Sequence, residues 1–460
     1  MSKQISTLSL GTDSLSRLLP RYAIPAIIAA TSTSLFNIVD SIFIGHGVGA
    51  LAISGMALTM PIMNVAAAFG SMVGVGAAAI TSIRLGQGNM HAAERTLGNL
   101  VLLNIIMGVV IGVTGLIFLD PILYFFGASE QTVSYARQFM HVILAGNFVT
   151  HLYLGLNEMM RASGYPHKSM YAMLTAVAVN CVLNPLFIFK FGWGIQGSAF
   201  STLISQIIAM SISLSHFSNR NSFLRFKRGL FRIDLRIVRG ILSIGLAPFL
   251  MNICASIVVI FVNKSLTTYG GDLNIGAFGI INRIVMLFIM IVLGLNQGMQ
   301  PIVGYNYGAR KYDRVIKAYF ITAACAVCVT TTGFLVSRIF PEQVARLFVG
   351  GDDADAEELV AAVVYGIKYI MIMFWAVGFQ IVTGNFFQYI GKPKRAILIS
   401  LTRQMLFLVP LLIILPPRMG VTGVWVAQPI ADSMSVTLAA ILITHQIRML
   451  RRNPDSERSI

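Results

Sequence analysis

Leu35-Phe36-Asn37-Ile38-Val39-Asp40-Ser41-Ile42-Phe43-Ile44-Gly45 is an apolar run with a single carboxylate inside it. It closes residues 20–44, a stretch long enough at about 1.5 Å per residue to cross a hydrocarbon core of roughly 30 Å. Read as a membrane-spanning helix, the run places Asp40 where insertion scales disfavour an aspartate by roughly 2.5–3.5 kcal/mol. Two readings follow: a structural hydrogen-bonding acid near a helix end, or a functional group.

Working outward, similar apolar runs recur along the 460 residues, of which 56% are hydrophobic and 11% charged. A soluble domain carries roughly 25% charged residues, so the composition is that of an integral membrane protein. The expected spans are residues 20–44, 51–80, 96–119, 131–160, 168–190, 195–217, 238–268, 273–304, 314–340, 357–390, 395–416 and 420–447. Twelve helices and no strand make an all-α fold. No cleavable signal pattern precedes the first run, which opens with Pro20 and Pro25 and is expected to be retained.

The formal charge of +16 raises the question of nucleic acid, but the basic residues alternate from loop to loop instead of clustering with aromatics. About 25 of the 34 Lys and Arg fall on one side, among them Arg84, Arg95, Arg161, Lys168, Arg310, Lys311, Lys392 and Arg451; about five fall on the other. The positive-inside rule then places both termini in the cytoplasm, in a multi-pass protein of the cytoplasmic (inner) membrane. The acidic cluster Asp352, Asp353, Asp355, Glu357 and Glu358 is expected outside as a solvated loop and helix cap.

A basic linker at 218–237 divides the chain into 1–217 and 238–460, each with six spans. The halves repeat weakly: Pro25 matches Pro248, Gly74 matches Gly294, Gly88 matches Gly308, and Gly164-Tyr165-Pro166 matches Gly391-Lys392-Pro393. Six helices per half make the repeats parallel, so two six-helix lobes should be related by a pseudo-two-fold axis along the membrane normal, with a cleft between them.

Several chemistries lack their residues. There is no Gly-x-x-x-x-Gly-Lys-Ser/Thr loop for nucleotide phosphates, and no HExxH or GxSxG. Gly192-Trp193-Gly194-Ile195-Gln196-Gly197 spells GxGxxG, but it follows a long span and lacks the acidic residue about twenty positions on, so it reads as a tight external turn. Cys181, Cys254, Cys325 and Cys328 lie in apolar segments without a second metal-ligand pair, and no metal site is expected. No enzyme activity is supported.

Depth counting points back to Asp40. It lies about five residues, roughly 7 Å, below the outer end of its span; Asn184 and Thr202 fall at matching depth, and Asn180 one turn below Asn184. A carboxylate among amides and a hydroxyl can hold a proton in one state and accept hydrogen bonds in another. The bland alternative is that Asn180 and Asn184 only join helices. Arg403 and Asp432 also fall at nearly the same depth and are expected to form a structural ion pair. Glu158 and Arg161, three residues apart, should pair at the cytoplasmic mouth.

Val39-Asp40-Ser41-Ile42-Phe43-Ile44-Gly45, Arg161-Ala162-Ser163-Gly164, Asn180-x-x-x-Asn184-Pro185 and Gln297-Gly298-x-x-Pro301-Ile302-x-Gly304-Tyr305-Asn306-Tyr307-Gly308-Ala309 resemble the multidrug and toxic compound extrusion (MATE) family. The resemblance runs from about Leu18 to Arg448. It implies a twelve-helix, two-lobe antiporter exporting lipophilic, often cationic compounds against protons, with sodium as the alternative ion. In proton-coupled prokaryotic members the first-lobe site falls on the positions of Asp40, Asn180, Asn184 and Thr202. This chain has Asn184 where those members carry a second acid. It also lacks the acidic pair that some sodium-coupled relatives place in the seventh and tenth helices, and carries Lys264 and Arg283 in segments seven and eight.

Cavity candidates, by residue type and position, are Asn37, Met60, Met63, Asn147, His151, Asn157, Met173, Arg283, Gln297 and Gln300, with Pro25 as a helix hinge. Expected partners are small lipophilic substrates and membrane lipids, with no nucleic acid; no cofactor is expected beyond the coupling ion, and the protein should act as a monomer. Rival readings are a flippase of lipid-linked saccharides, suited by Lys264, Arg283 and Arg403, and a channel or scaffold, which needs no titratable acid in its first helix.

Overall fold

The computed structural model describes residues 5–126, 128–227, 229–349 and 354–452. Asp352 and Asp353 lie outside the described residues, as do the side chains of Asn37 and Asp355. Ten helices are individually long and apolar enough to cross a membrane, and the bent pair Glu130–Ala145 and Asn147–Ala162 makes an eleventh crossing. Leu15–Gly47, 33 residues long, is the twelfth. The chain is therefore an all-α, multi-pass membrane protein of two six-helix lobes. Spans 1 to 3 are Leu15–Gly47, Ala50–Gly86 and Met90–Ile117. The bent pair is span 4, and Pro166–Lys190 and Gly194–Ser218 are spans 5 and 6. The second lobe holds Leu235–Gly271, Leu273–Gly308, Tyr312–Ile339, Ala356–Tyr389, Pro393–Met419 and Val421–Arg452 as spans 7 to 12.

Local chemistry shapes the elements that matter for function. Span 4, expected as one straight helix over 131–160, turns by 55° between its two parts. The bend falls at Gly146, where a Cβ would lie 2.3 Å from the end of the Leu203 side chain of span 6, so a larger residue would have to displace that leucine. In span 5, Pro185 is followed by a wide turn in which the Phe191 N–H donates to the Leu186 carbonyl, five residues back, at 3.1 Å. A second wide turn covers Thr402–Leu408 in span 11, just before Pro410, whose ring cannot sit against the carbonyl four residues earlier. Gly192 (φ 67°) and Gly194 (φ 54°) make the tight turn that the GxGxxG pattern suggested.

The linker between the lobes is docked. Lys227 pairs with buried Glu94 at 2.6 Å, Arg95 with Asp234 at 3.0 Å, and the Asp234 N–H donates to Asn99 Oδ1 at 2.8 Å. At the same end, a short helix, Ile5–Thr12, crosses onto the second lobe. Its carbonyls accept hydrogen bonds from Asn306 Nδ2 (Leu10, 2.8 Å) and Lys311 Nζ (Gly11, 2.9 Å), and Arg314 Nη2 reaches the Asp13 carbonyl at 2.6 Å. Cations at a helix C-terminus suit its dipole. Leu10, fully buried, joins a core cluster shared with Leu18, Ile302 and Phe386. At the opposite end, Arg346 bridges Glu342 at 3.2 Å and Glu357 at 2.8 Å, a solvated arrangement.

The lobes meet at the basic-loop end at close backbone approaches. A Cβ on Gly245 of span 7 would lie 1.8 Å from the Met72 carbonyl, and one on Gly76 of span 2 would lie 2.1 Å from the Ile241 carbonyl. One turn or more beyond, a Cβ on Gly86 would lie 1.9 Å from the Tyr305 carbonyl and one on Gly308 2.0 Å from the Ile83 carbonyl. Just inside this contact the Phe69 and Phe249 rings pack with centroids 4.7 Å apart. Small residues allow such approaches where lipid provides no hydrophobic drive between helices. Gly308→Val is therefore expected to part the lobes at this end. A cysteine replacing Ser82, fully buried here, in a chain otherwise free of cysteine should then react with maleimide from the basic-loop side. Unchanged protection of that cysteine would refute the close-packed contact.

Candidate functional site

Asp40 is 4% exposed, on the face of span 1 that meets spans 5 and 6. Its Oδ1 accepts a short hydrogen bond from Asn184 Nδ2 and another from Ser198 Oγ at 2.7 Å. Asn184 sits in the last regular turn before the wide turn, and Ser198 in the first turn of span 6. Span 6 comes this close because Gly197 lies against Phe187, where a Cβ would be 3.0 Å from the backbone. Asn184 and Ser198 are fully buried, and among the described residues no cation pairs with Asp40. A buried carboxylate held only by neutral donors needs every one of them, or a bound proton or cation. The oxygen of that amide, Asn184 Oδ1, is buried without a partner among the described residues.

One turn deeper, Asn180 Nδ2 donates to Thr202 Oγ1 at 3.2 Å, and the Asn180 carbonyl accepts from Ser201 Oγ at 3.4 Å. The four residues singled out in the sequence therefore fall into two adjacent layers. Asp40 and Asn184 share the upper one, and Asn180 and Thr202 the lower. Ser198 is the residue that depth counting missed. Its signal was Ser198-x-x-Ser201-Thr202-x-x-Ser205, a run of hydroxyls at helical spacing on one face. Ser198→Ala removes a hydrogen bond to a carboxylate, worth about 1.5–3 kcal/mol. Thermal unfolding in detergent should read that loss as a lower melting temperature.

Of the cavity candidates, Met60 is exposed, and Met63, Met173 and Gln297 are half-buried. Asn147, Asn157 and Gln300 have hydrogen-bond partners. Asn147 donates to the Gly108 carbonyl at 3.2 Å, His151 is fully buried against Gly70, and Gln300 Nε2 reaches across the lobes to the Val75 carbonyl at 3.4 Å. Asn157 accepts from Ser169 Oγ, which also meets Arg161 at 3.5 Å, and Arg161 is ion-paired with Glu158. Pro25 is buried in a helix that continues unbroken through it.

Arg403 and Asp432 pair at 2.9 Å, with Gln428 adding a 3.3 Å hydrogen bond to the carboxylate. Lys264 and Arg283 point out of the helix packing, exposed and without an ion partner among the described residues. No group of three His, Cys, Asp or Glu capable of holding a metal occurs among the described residues.

Comparison with known proteins adds to this geometry. The MatE family model matches residues 25–186 and 244–414. The multidrug export protein MepA of Staphylococcus haemolyticus (strain JCSC1435) is 27% identical over 433 residues, 94% of each chain. Among solved structures, a MATE in the bent conformation superposes with a TM-score of 0.91 at 24% identity, over 98% of this chain and 99% of that one. A MOP superfamily transporter from Pyrococcus furiosus Vc1 (DSM3638), whose reverse pocket polarity suggests a different function, superposes with a TM-score of 0.90 at 25% identity, over 97% and 98% of the two chains.

Proposed function

Since the chain belongs to the MatE family, we propose that it exports lipophilic, often cationic compounds by antiport against protons, its two lobes rocking between states open to either side. The multidrug export named for its MepA relative supports the substrate class. The observation that carries the coupling is Asp40, buried, without a counter-cation, and held by Asn184 and Ser198.

The chemistry of that cluster suits two protonation states. As a carboxylate, Asp40 accepts from the Asn184 amide N–H and the Ser198 hydroxyl. Once protonated, its O–H becomes a donor, and Asn184 Oδ1 becomes a suitable acceptor by rotation of the amide. Either state is satisfied, but the two differ in how span 1 is held against spans 5 and 6. That difference is the free energy with which a proton can shift the lobes, since a ligand moves an equilibrium only by binding one state better. Bending of span 1 near Pro25 is the motion we assign to it.

In this reading the protein sits as a monomer in the cytoplasmic membrane with both termini inside, and it uses no cofactor besides the coupling ion. The lobes, closed at the basic-loop end, then face outward. Purified protein in liposomes, given ethidium and separate proton and sodium gradients, tests the proposal. Uptake driven by the proton gradient alone is expected. Equal drive by sodium alone would transfer the coupling to sodium, and no drive by either would overturn antiport.

A further inference from the structure

A second polar site lies in the other lobe, at the place where the first lobe is filled by polar side chains. Aligning Gly164-Tyr165-Pro166 with Gly391-Lys392-Pro393 sets Asn157, Glu158, Arg161 and Ser169 on Gly384, Asn385, Gln388 and Ala396. In the first lobe these side chains fill the space and bond to one another. In the second lobe all four counterparts line a cavity of about 50 Å³ between spans 7, 10 and 11.

The cavity walls carry hydrogen-bonding groups that the protein does not satisfy. Gln380, 4% exposed, donates through Nε2 to Ser435 at 2.7 Å, but its Oε1 has no partner among the described residues. Gln388, 3% exposed, has an unpartnered Nε2, and Gln404, in the wide turn of span 11, an unpartnered Oε1. Native interiors rarely leave such groups unmet, and each costs about 1–3 kcal/mol when it is. Arg403 also lines the wall, with its charge balanced by Asp432. Donors and acceptors are thus mixed, without net charge.

We propose that this pocket is a subsite for one uncharged hydrogen-bonding group, a carboxamide or its like, on an exported molecule. The size agrees: about 50 Å³ exceeds the roughly 10–15 Å³ that a cavity needs to admit one water, which leaves room for a small polar group. A cation would meet Arg403, and an anion would meet Asp432 behind it. Position agrees as well, because the pocket lies directly behind Ala247 and Pro248, between Gly245 and Phe249, which touch Met72 and Phe69 of the first lobe. The subsite rests on the export reading above and makes it more specific.

The test compares two lipophilic cations, tetraphenylphosphonium and its analogue with one para-carboxamide, binding to the full chain in lipid nanodiscs. The carboxamide should bind about tenfold more tightly, and the ratio should fall to about one in Gln388→Met and Gln404→Met. Melting temperatures of these variants should not fall, since each removes an unmet polar group. Gly384→Met provides an independent arm: its Cβ meets only Ile399, at 3.9 Å, so the side chain grows into the pocket and should also abolish the preference. Equal binding of the two cations by the wild type, or a preference that survives in the variants, overturns the subsite and leaves export standing. Binding of neither cation would count against the export reading itself.

Discussion

Asp40→Asn is expected to abolish proton-driven export while leaving a folded, inserted protein. The substitution is nearly isosteric, and an asparagine amide can still accept from Ser198 Oγ and exchange hydrogen bonds with Asn184, so the packing of spans 1, 5 and 6 should survive. What it cannot do is gain and lose a proton. Exchange of labelled substrate down its own gradient should therefore persist, and the response to an imposed pH step should drop at least tenfold, about 1.4 kcal/mol in equilibrium terms. The comparison separates coupling from folding: loss of both activities would indicate structural damage, and full pH-driven export would remove Asp40 from the mechanism.

The physical reason for expecting so large an effect is the absence of a substitute. Asn184 has no carboxyl group, and the match of Pro25 with Pro248 sets Asp40 on Asn263, beside Lys264, so neither position offers a second carboxylate for the proton. The nearby hydroxyls of Ser198, Ser201 and Thr202 can relay hydrogen bonds but do not titrate in the physiological range.

How much of this could be read from the sequence follows from what one-dimensional spacing encodes. Hydropathy located the spans because crossing a bilayer needs a fixed length of apolar helix. The Glu158 and Arg161 pair was legible from its i,i+3 spacing, and the Arg403 and Asp432 pair from equal depth on two spans. Depth counting placed Asn184 beside Asp40 but put Thr202, and not Ser198, in the same layer, because it assumed about 1.5 Å per residue throughout. The wide turn over Leu186–Lys190 winds more residues into one turn and advances less along the axis, which leaves Asn184 nearer the outer end. It therefore shares Asp40 with Ser198, three residues into its span from Ile195, instead of with Thr202 one turn deeper. The reciprocal glycine contacts between the lobes were invisible for a related reason: GxxxG spacing tells which face is narrow but not which helix approaches it.

The second large effect concerns Asp432. Asp432→Ala is expected to destabilise the protein by about 3 kcal/mol, the lower end of the range for breaking a buried ion pair, because the Arg403 side chain retains 20% exposure. The loss comes from leaving a guanidinium without its carboxylate, not from the attraction of the pair itself. Replacing both partners, Arg403→Met with Asp432→Leu, should accordingly recover most of the stability, since apolar packing of similar volume often matches or exceeds a buried pair. Thermal unfolding of the two single variants and the double variant in the same detergent would measure this coupling directly. The double variant also decides between a structural pair and a proton relay: a structural pair predicts that pH-driven flux returns along with stability, whereas a relay predicts a stable protein that no longer transports.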